Sequence, residues 1–100
     1  MSDTIELIRF RLQEGKTTED WLKANETISA WVQRQQGFRF RSLSESTDGE
    51  WIDMIYWESK QAAEAAGKSF SEEMMPVCMP FIAPESIVMS HSTAHVMQRG

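Results

Sequence analysis

Residues 37–66, GFRFRSLSESTDGEWIDMIYWESKQAAEAA, read as two short strands joined by a tight turn and followed at once by a helix. The runs Phe38–Ser46 and Glu50–Trp57 have the side-chain alternation of paired strands. Asp48-Gly49 between them is a strong hairpin signal, because both residue types tolerate the positive φ of a type I′ turn. With those two residues as the loop, Phe40 is expected opposite Trp57, Ser42 opposite Ile55 and Ser44 opposite Asp53. A three-residue loop from Thr47 would shift the register by one and pair Phe40 with Tyr56; the two-residue loop is the preferred reading. Ser59 is a sound N-cap for the helix, whose first turns, Gln61–Ala66, are alanine-rich before Gly67 weakens it.

The flanking segments complete the pattern. Thr4–Gln13 reads as a first strand, with Ile5 and Leu7 on one face and Ile8, Phe10 and Leu12 on the other. Arg9 and Arg11 continue the Ile5–Leu7 face. Apolar residues on both faces mark this strand as central and covered twice. Thr17 with Asp20 forms a variant capping box, after which Trp21, Ala24, Ile28, Trp31 and Val32 recur at helical spacing. Gly37 is expected to stop that helix at its C′ position. Three prolines in SFSEEMMPVCMPFIAPE exclude a long regular element, leaving a short helical turn near Glu72–Met75 and then a loop. Ser86–Met97 is the last strand, with Ile87, Met89 and His91 on one face. The order is βαββαβ, a ferredoxin-like α+β plait in which a four-stranded antiparallel sheet carries two helices on one face.

A chain of 100 residues makes one domain, residues 1–100, with a thin core that association would help to complete. Four tryptophans and five phenylalanines belong to a dense core or a subunit interface. A net charge of −5 argues against a nucleic-acid partner. No apolar run is long enough for a membrane span, and the N-terminus has no basic-then-apolar signal segment. A lone cysteine, Cys78, suits a reducing compartment, so a cytoplasmic domain is expected. The outer sheet face, read as carrying Trp51, Ile55 and Trp57 or their counterparts, is too apolar to remain in water, which predicts a sheet-to-sheet homodimer.

With these elements in place, the chain resembles the dimeric α+β barrel superfamily, in particular the antibiotic-biosynthesis-monooxygenase-like domains. The resemblance runs over nearly the whole chain. It is carried by IELIRFRLQEG, by the helix ending in QRQQGF, by DGEWIDMIYWESKQAAEAA and by the proline-broken MMPVCMPF. It implies a pocket between sheet and helices, and cofactor-independent oxygenation or isomerisation among the activities. Heme degradation is not implied. That branch has an asparagine in its first strand, which is absent here, and Ala66 and Pro76 stand at its tryptophan and histidine positions. The Asn, Trp and Tyr of the quinone-forming pattern are likewise missing between Ser59 and Phe81.

Candidate functional residues follow from strand neighbours. Arg9, Asp53 and His91, on three adjacent strands, are read as one face: a histidine base poised by a carboxylate, with an arginine to hold an anion. The bland alternative is a structural ion pair with a histidine near the rim. Trp57, Tyr56 and Phe40 are read as aromatic walls for a flat hydrophobic ligand, or else as core and interface. The methionines with Cys78, His91 and His95 match no closed metal site, so no metal, heme or flavin is expected. Cys78, between Val77 and Met79 and flanked by prolines, reads as buried and inert. Two functions remain open: a cofactor-free oxygenase or isomerase, and a non-enzymatic ligand-binding or dimeric accessory protein.

Overall fold

The hydroxyls of Thr17 and Ser59 begin the two long helices, accepting from the backbone N–H of Asp20 and Ala62, each at 3.1 Å. The computed structural model describes residues 2–100. Its elements are β1 (Thr4–Phe10), α1 (Thr18–Gln33), β2 (Phe38–Glu45), β3 (Trp51–Trp57), α2 (Lys60–Glu73), α3 (Met75–Cys78) and β4 (Val88–Thr93), with a 3-10 turn at Pro84–Ser86. The sheet order is β2-β3-β1-β4 and each neighbouring pair is antiparallel. This is the expected α+β plait, with helices against one sheet face. Among the described residues, no helix is long and apolar enough to cross a membrane.

The hairpin takes the other register. Phe40 pairs with Tyr56, Ser42 with Met54 and Ser44 with Ile52. Ser46 N–H donates to the Glu50 carbonyl at 2.8 Å, so the loop is Thr47-Asp48-Gly49. Gly49 has φ +87°, whereas no non-glycine residue described has a positive φ, which excludes a type I′ turn at Asp48-Gly49. The longer loop is clamped from outside: Arg11 donates to the Asp48 carbonyl at 2.9 Å and to its carboxylate at 3.1 Å.

Face assignment in β3 is likewise the reverse of the expectation. Trp51, Ile55 and Trp57 are buried against the helices, at 3%, 6% and 1% exposure. The outer face carries Ile52, Met54 and Tyr56 in β3, with Ile5 and Leu7 beside them in β1. Both faces of WIDMIYW are apolar, so only pairing decides which faces inward.

Helix ends differ too. α1 stops at Gln33 with Arg34 as its cap, three residues before Gly37. Gly37 instead serves the entry to β2, with φ +85° and its carbonyl accepting from Glu58 N–H at 2.8 Å. A Cβ there would lie 2.6 Å from the Ala62 Cβ and 3.0 Å from the Glu58 Cγ. Gly37→Ala is therefore expected to destabilise the fold by more than about 1 kcal/mol, read as a lower urea midpoint at unchanged slope. α2 runs through Gly67 to Glu73, longer than its sequence promised, because Ala63 and Ala66 pack into the core. Pro76 then lies in the first turn of the one-turn α3, where its missing N–H costs nothing.

The core between sheet and helices is built from aromatic edges. Phe10 and Trp21 meet at 5.6 Å and 83°, Trp31 and Phe70 at 5.4 Å and 71°, and Phe38 and Trp57 at 6.0 Å and 68°. These rings are large and rigid, so they prop the helices off the sheet without filling all the space between them.

Candidate functional site

Strand β1 turns Glu6, Ile8 and Phe10 toward the helices, and pairing brings Asp53 and Ile55 of β3 and His91 and Met89 of β4 to that same face. Between this face and the helices lies a cavity of about 350 Å³. Its walls are mainly apolar: Ile8, Trp21, Trp31, Ile55, Trp57 and Phe70 among others. Ile87 and Met89 also line it while remaining 42% and 53% exposed. The cavity thus opens beside β4, the one strand whose residues are all exposed.

Two polar clusters interrupt the apolar wall. In the first, Arg41 of β2 grips Asp53 with two nearly parallel bonds, from Nε at 3.0 Å and from Nη2 at 2.9 Å. Arg41 also donates to Asn25 at 2.8 Å and to Ser29 at 3.3 Å, both on α1. Arg41 and Asp53 side chains are 8% and 12% exposed, and their charges cancel. This fork ties β2, β3 and α1 together and leaves little charge for chemistry.

The second cluster is centred on Glu6. Its carboxylate accepts the Trp57 indole N–H at 3.1 Å and lies 4.0 Å from His91 Nε2. Glu6 is 10% exposed at the side chain, whereas His91 is 50% exposed and stands at the rim. Burial raises the Glu6 pKa from its ordinary value; the Trp57 hydrogen bond and His91 oppose the rise, and Asp53 adds to it. Unlike Asp53, Glu6 has no cation in close contact. A buried carboxylate with a raised pKa, in the wall of an apolar cavity, is equipped to take and return a proton.

The trio read from the sequence is divided among three settings. Asp53 faces the cavity but is held by Arg41. His91 is on the same face but reaches Glu6 instead. Arg9 is on the opposite face, paired with Ile52 and near Glu50 at 3.9 Å. The correction has one cause: Asp53 is in register with Ile8, not Arg9, so the two point to opposite sides of the sheet. The aromatic trio divides as well. Trp57 lines the cavity, while Phe40 and Tyr56 meet edge to face on the outer side at 6.0 Å. Cys78 is buried as expected, with its pKa raised to about 11 by desolvation first and then by Asp53. Almost no thiolate exists at neutral pH, which makes it a poor nucleophile.

Glu6 and Arg41 are the site residues that strand reading missed. Each left a trace: one acid, Glu6, inside IELIRF, and Arg41, the second of two arginines inside FRFRSL.

No protein-family model and no curated protein sequence matches the chain. Solved structures do. The chain is similar to the monooxygenase ActVA-Orf6 of Streptomyces coelicolor, with TM-score 0.75 and 16% identity over 99% of this chain and 93% of that one. SnoaB of Streptomyces nogalater, a cofactor-independent oxygenase, aligns with TM-score 0.70 and 15% identity over 99% and 97%. A Chloroflexus aurantiacus protein assigned to the antibiotic biosynthesis monooxygenases aligns with TM-score 0.75 and 12% identity over 99% and 98%. The chain has the fold of the antibiotic-biosynthesis-monooxygenase-like domains.

Proposed function

We propose that this chain is a cofactor-independent monooxygenase-like domain that binds a flat hydrophobic molecule in the cavity, with Glu6 as its acid–base residue. The observation that carries this reading is a buried carboxylate, held by the Trp57 indole and without a guanidinium or ammonium partner, in the wall of an open apolar cavity. ActVA-Orf6, crystallised with nanaomycin D, and SnoaB, a cofactor-independent oxygenase, supply the analogy.

The chemistry asks little of the protein. A methylene flanked by aromatic rings or a carbonyl loses a proton to Glu6, leaving a delocalised carbanion. Its electron pair passes to dioxygen and a carbon–oxygen bond forms, giving a peroxide anion that takes the proton back from Glu6. Loss of water from the hydroperoxide leaves a ketone: one oxygen atom enters the product, the other leaves as water, and no external reductant is consumed. A raised pKa suits a group that must both accept and return that proton. The dry aromatic walls keep the carbanion from being reprotonated by solvent. His91, half exposed and 4.0 Å from Glu6, stands between the carboxyl and solvent at the rim.

A second reading, a binding module without turnover, is favoured by one feature: apart from Glu6, the only charged side chains in the wall among the described residues are Arg41 and Asp53, and these are spent on each other. Calorimetric titration with anthrone under nitrogen tests what both readings share. Saturable binding is expected; its absence would remove both.

The outer sheet face is proposed to pack on a second copy of the chain. Ile5, Leu7, Ile52, Met54 and Tyr56 cluster there, and Phe40 is 53% exposed beside them. Sedimentation at micromolar concentration is expected to give twice the chain mass, and Met54→Arg to give a monomer. A monomeric wild type would contradict this assembly.

A further inference from the structure

Among the described residues, three methionines line the cavity: Met75, Met79 and Met89. Met79 and Met89 are each 53% exposed and Met75 is 37% exposed, so all three stand where the cavity meets solvent. Strand register ties one of them to Glu6. β4 places Met89 opposite Ile8 and His91 opposite Glu6, which makes Glu6 and Met89 diagonal neighbours on the cavity face. Such neighbours are about 7–8 Å apart across the ladder. A carbon that gives its proton to Glu6 therefore lies within reach of the Met89 side chain, which is unbranched and free to turn about several bonds. Met97 is a natural reference, 58% exposed but outside the cavity wall.

A thioether beside that carbon has a chemistry of its own. Resting on the reading of the cavity as the place where a hydroperoxide forms, we infer that Met89 is a modification site that takes an oxygen atom from an organic hydroperoxide held in the cavity. The sulfur lone pair attacks the distal peroxide oxygen; a sulfur–oxygen bond forms and the oxygen–oxygen bond breaks. The proton on the distal oxygen passes to the departing alkoxide. The hydroperoxide is thereby reduced to an alcohol and Met89 is oxidised by two electrons to its sulfoxide, with no other reactant. An apolar side chain at the mouth becomes a polar, chiral one. Cys78 does not compete for the oxygen, because it is buried and almost wholly in the thiol form.

The test treats the wild-type protein with hydrogen peroxide or with cumene hydroperoxide and reads sulfoxide at each methionine by peptide mass spectrometry. Hydrogen peroxide sets the reference ratio of Met89 to Met97 oxidation, governed by their similar exposure. Cumene hydroperoxide, an apolar donor, is expected to raise that ratio about tenfold, because binding replaces a chance encounter with delivery at short range. Excess 2-phenyl-2-propanol, its inert reduction product, should return the ratio to the reference. The same ratio with both oxidants, a preference for Met79 over Met89, or a preference that survives the excess alcohol would overturn the assignment. Calorimetry with anthrone decides the cavity reading separately. Saturable anthrone binding beside an unselective Met89 would remove the acceptor role alone, whereas failure of both would remove the two together.

Discussion

Arg41→Met is expected to cost the fold about 3–5 kcal/mol, the usual penalty for stranding one half of a buried ion pair. The substitution keeps the apolar stem but leaves Asp53, at 12% side-chain exposure, with no cation and strips Asn25 and Ser29 of a shared donor. The companion Arg41→Met/Asp53→Leu variant should recover most of that loss, because removing both charges also removes their desolvation cost. Urea unfolding of the wild type, the two single variants and the double variant closes the cycle. A small effect of Arg41→Met alone would mean that the fork does not hold β2, β3 and α1 in place.

Glu6→Gln is expected to act in opposite directions on activity and stability. Gln keeps an oxygen to accept the Trp57 indole proton but cannot take one from substrate, so turnover should fall by roughly 10²–10⁴. Stability should rise at neutral pH. Because burial raises the Glu6 pKa in the folded state, folding favours the protonated form. That favourable contribution is complete below the unfolded glutamate pKa, roughly 4.3, and is lost as pH rises through the folded value. Wild type and Glu6→Gln should therefore have similar melting temperatures near pH 4 and diverge above it, with Gln the more stable. Activity lost without this pH-dependent gain would point to a distorted cavity instead of a missing base.

The order of elements was legible because period-2 runs, two capping hydroxyls and Asp48-Gly49 are all local signals. What escaped was relative parity between strands. β1 and β3 each alternate visibly, yet whether Asp53 faces with Arg9 or with Ile8 depends on pairing, which sits in long-range contacts. The hairpin shows the same limit: Asp48-Gly49 marks a turn, but the clamp from Arg11, 37 positions away, accompanies the three-residue loop. α2 outran Gly67 because burial of Ala63 and Ala66 against the sheet outweighed one glycine. Glu6 went unremarked since a single acid between isoleucine and leucine looks like a solvated strand position until the face it occupies is known.

Oxygen uptake with anthrone, in the presence of a chelator, tests the proposed role of Glu6 most directly. The wild type is expected to consume one dioxygen per anthrone, to leave one oxygen-18 label in the resulting quinone, and to lose this activity in Glu6→Gln while anthrone still binds. Equal rates for wild type and Glu6→Gln, at the level of the uncatalysed background, would contradict it.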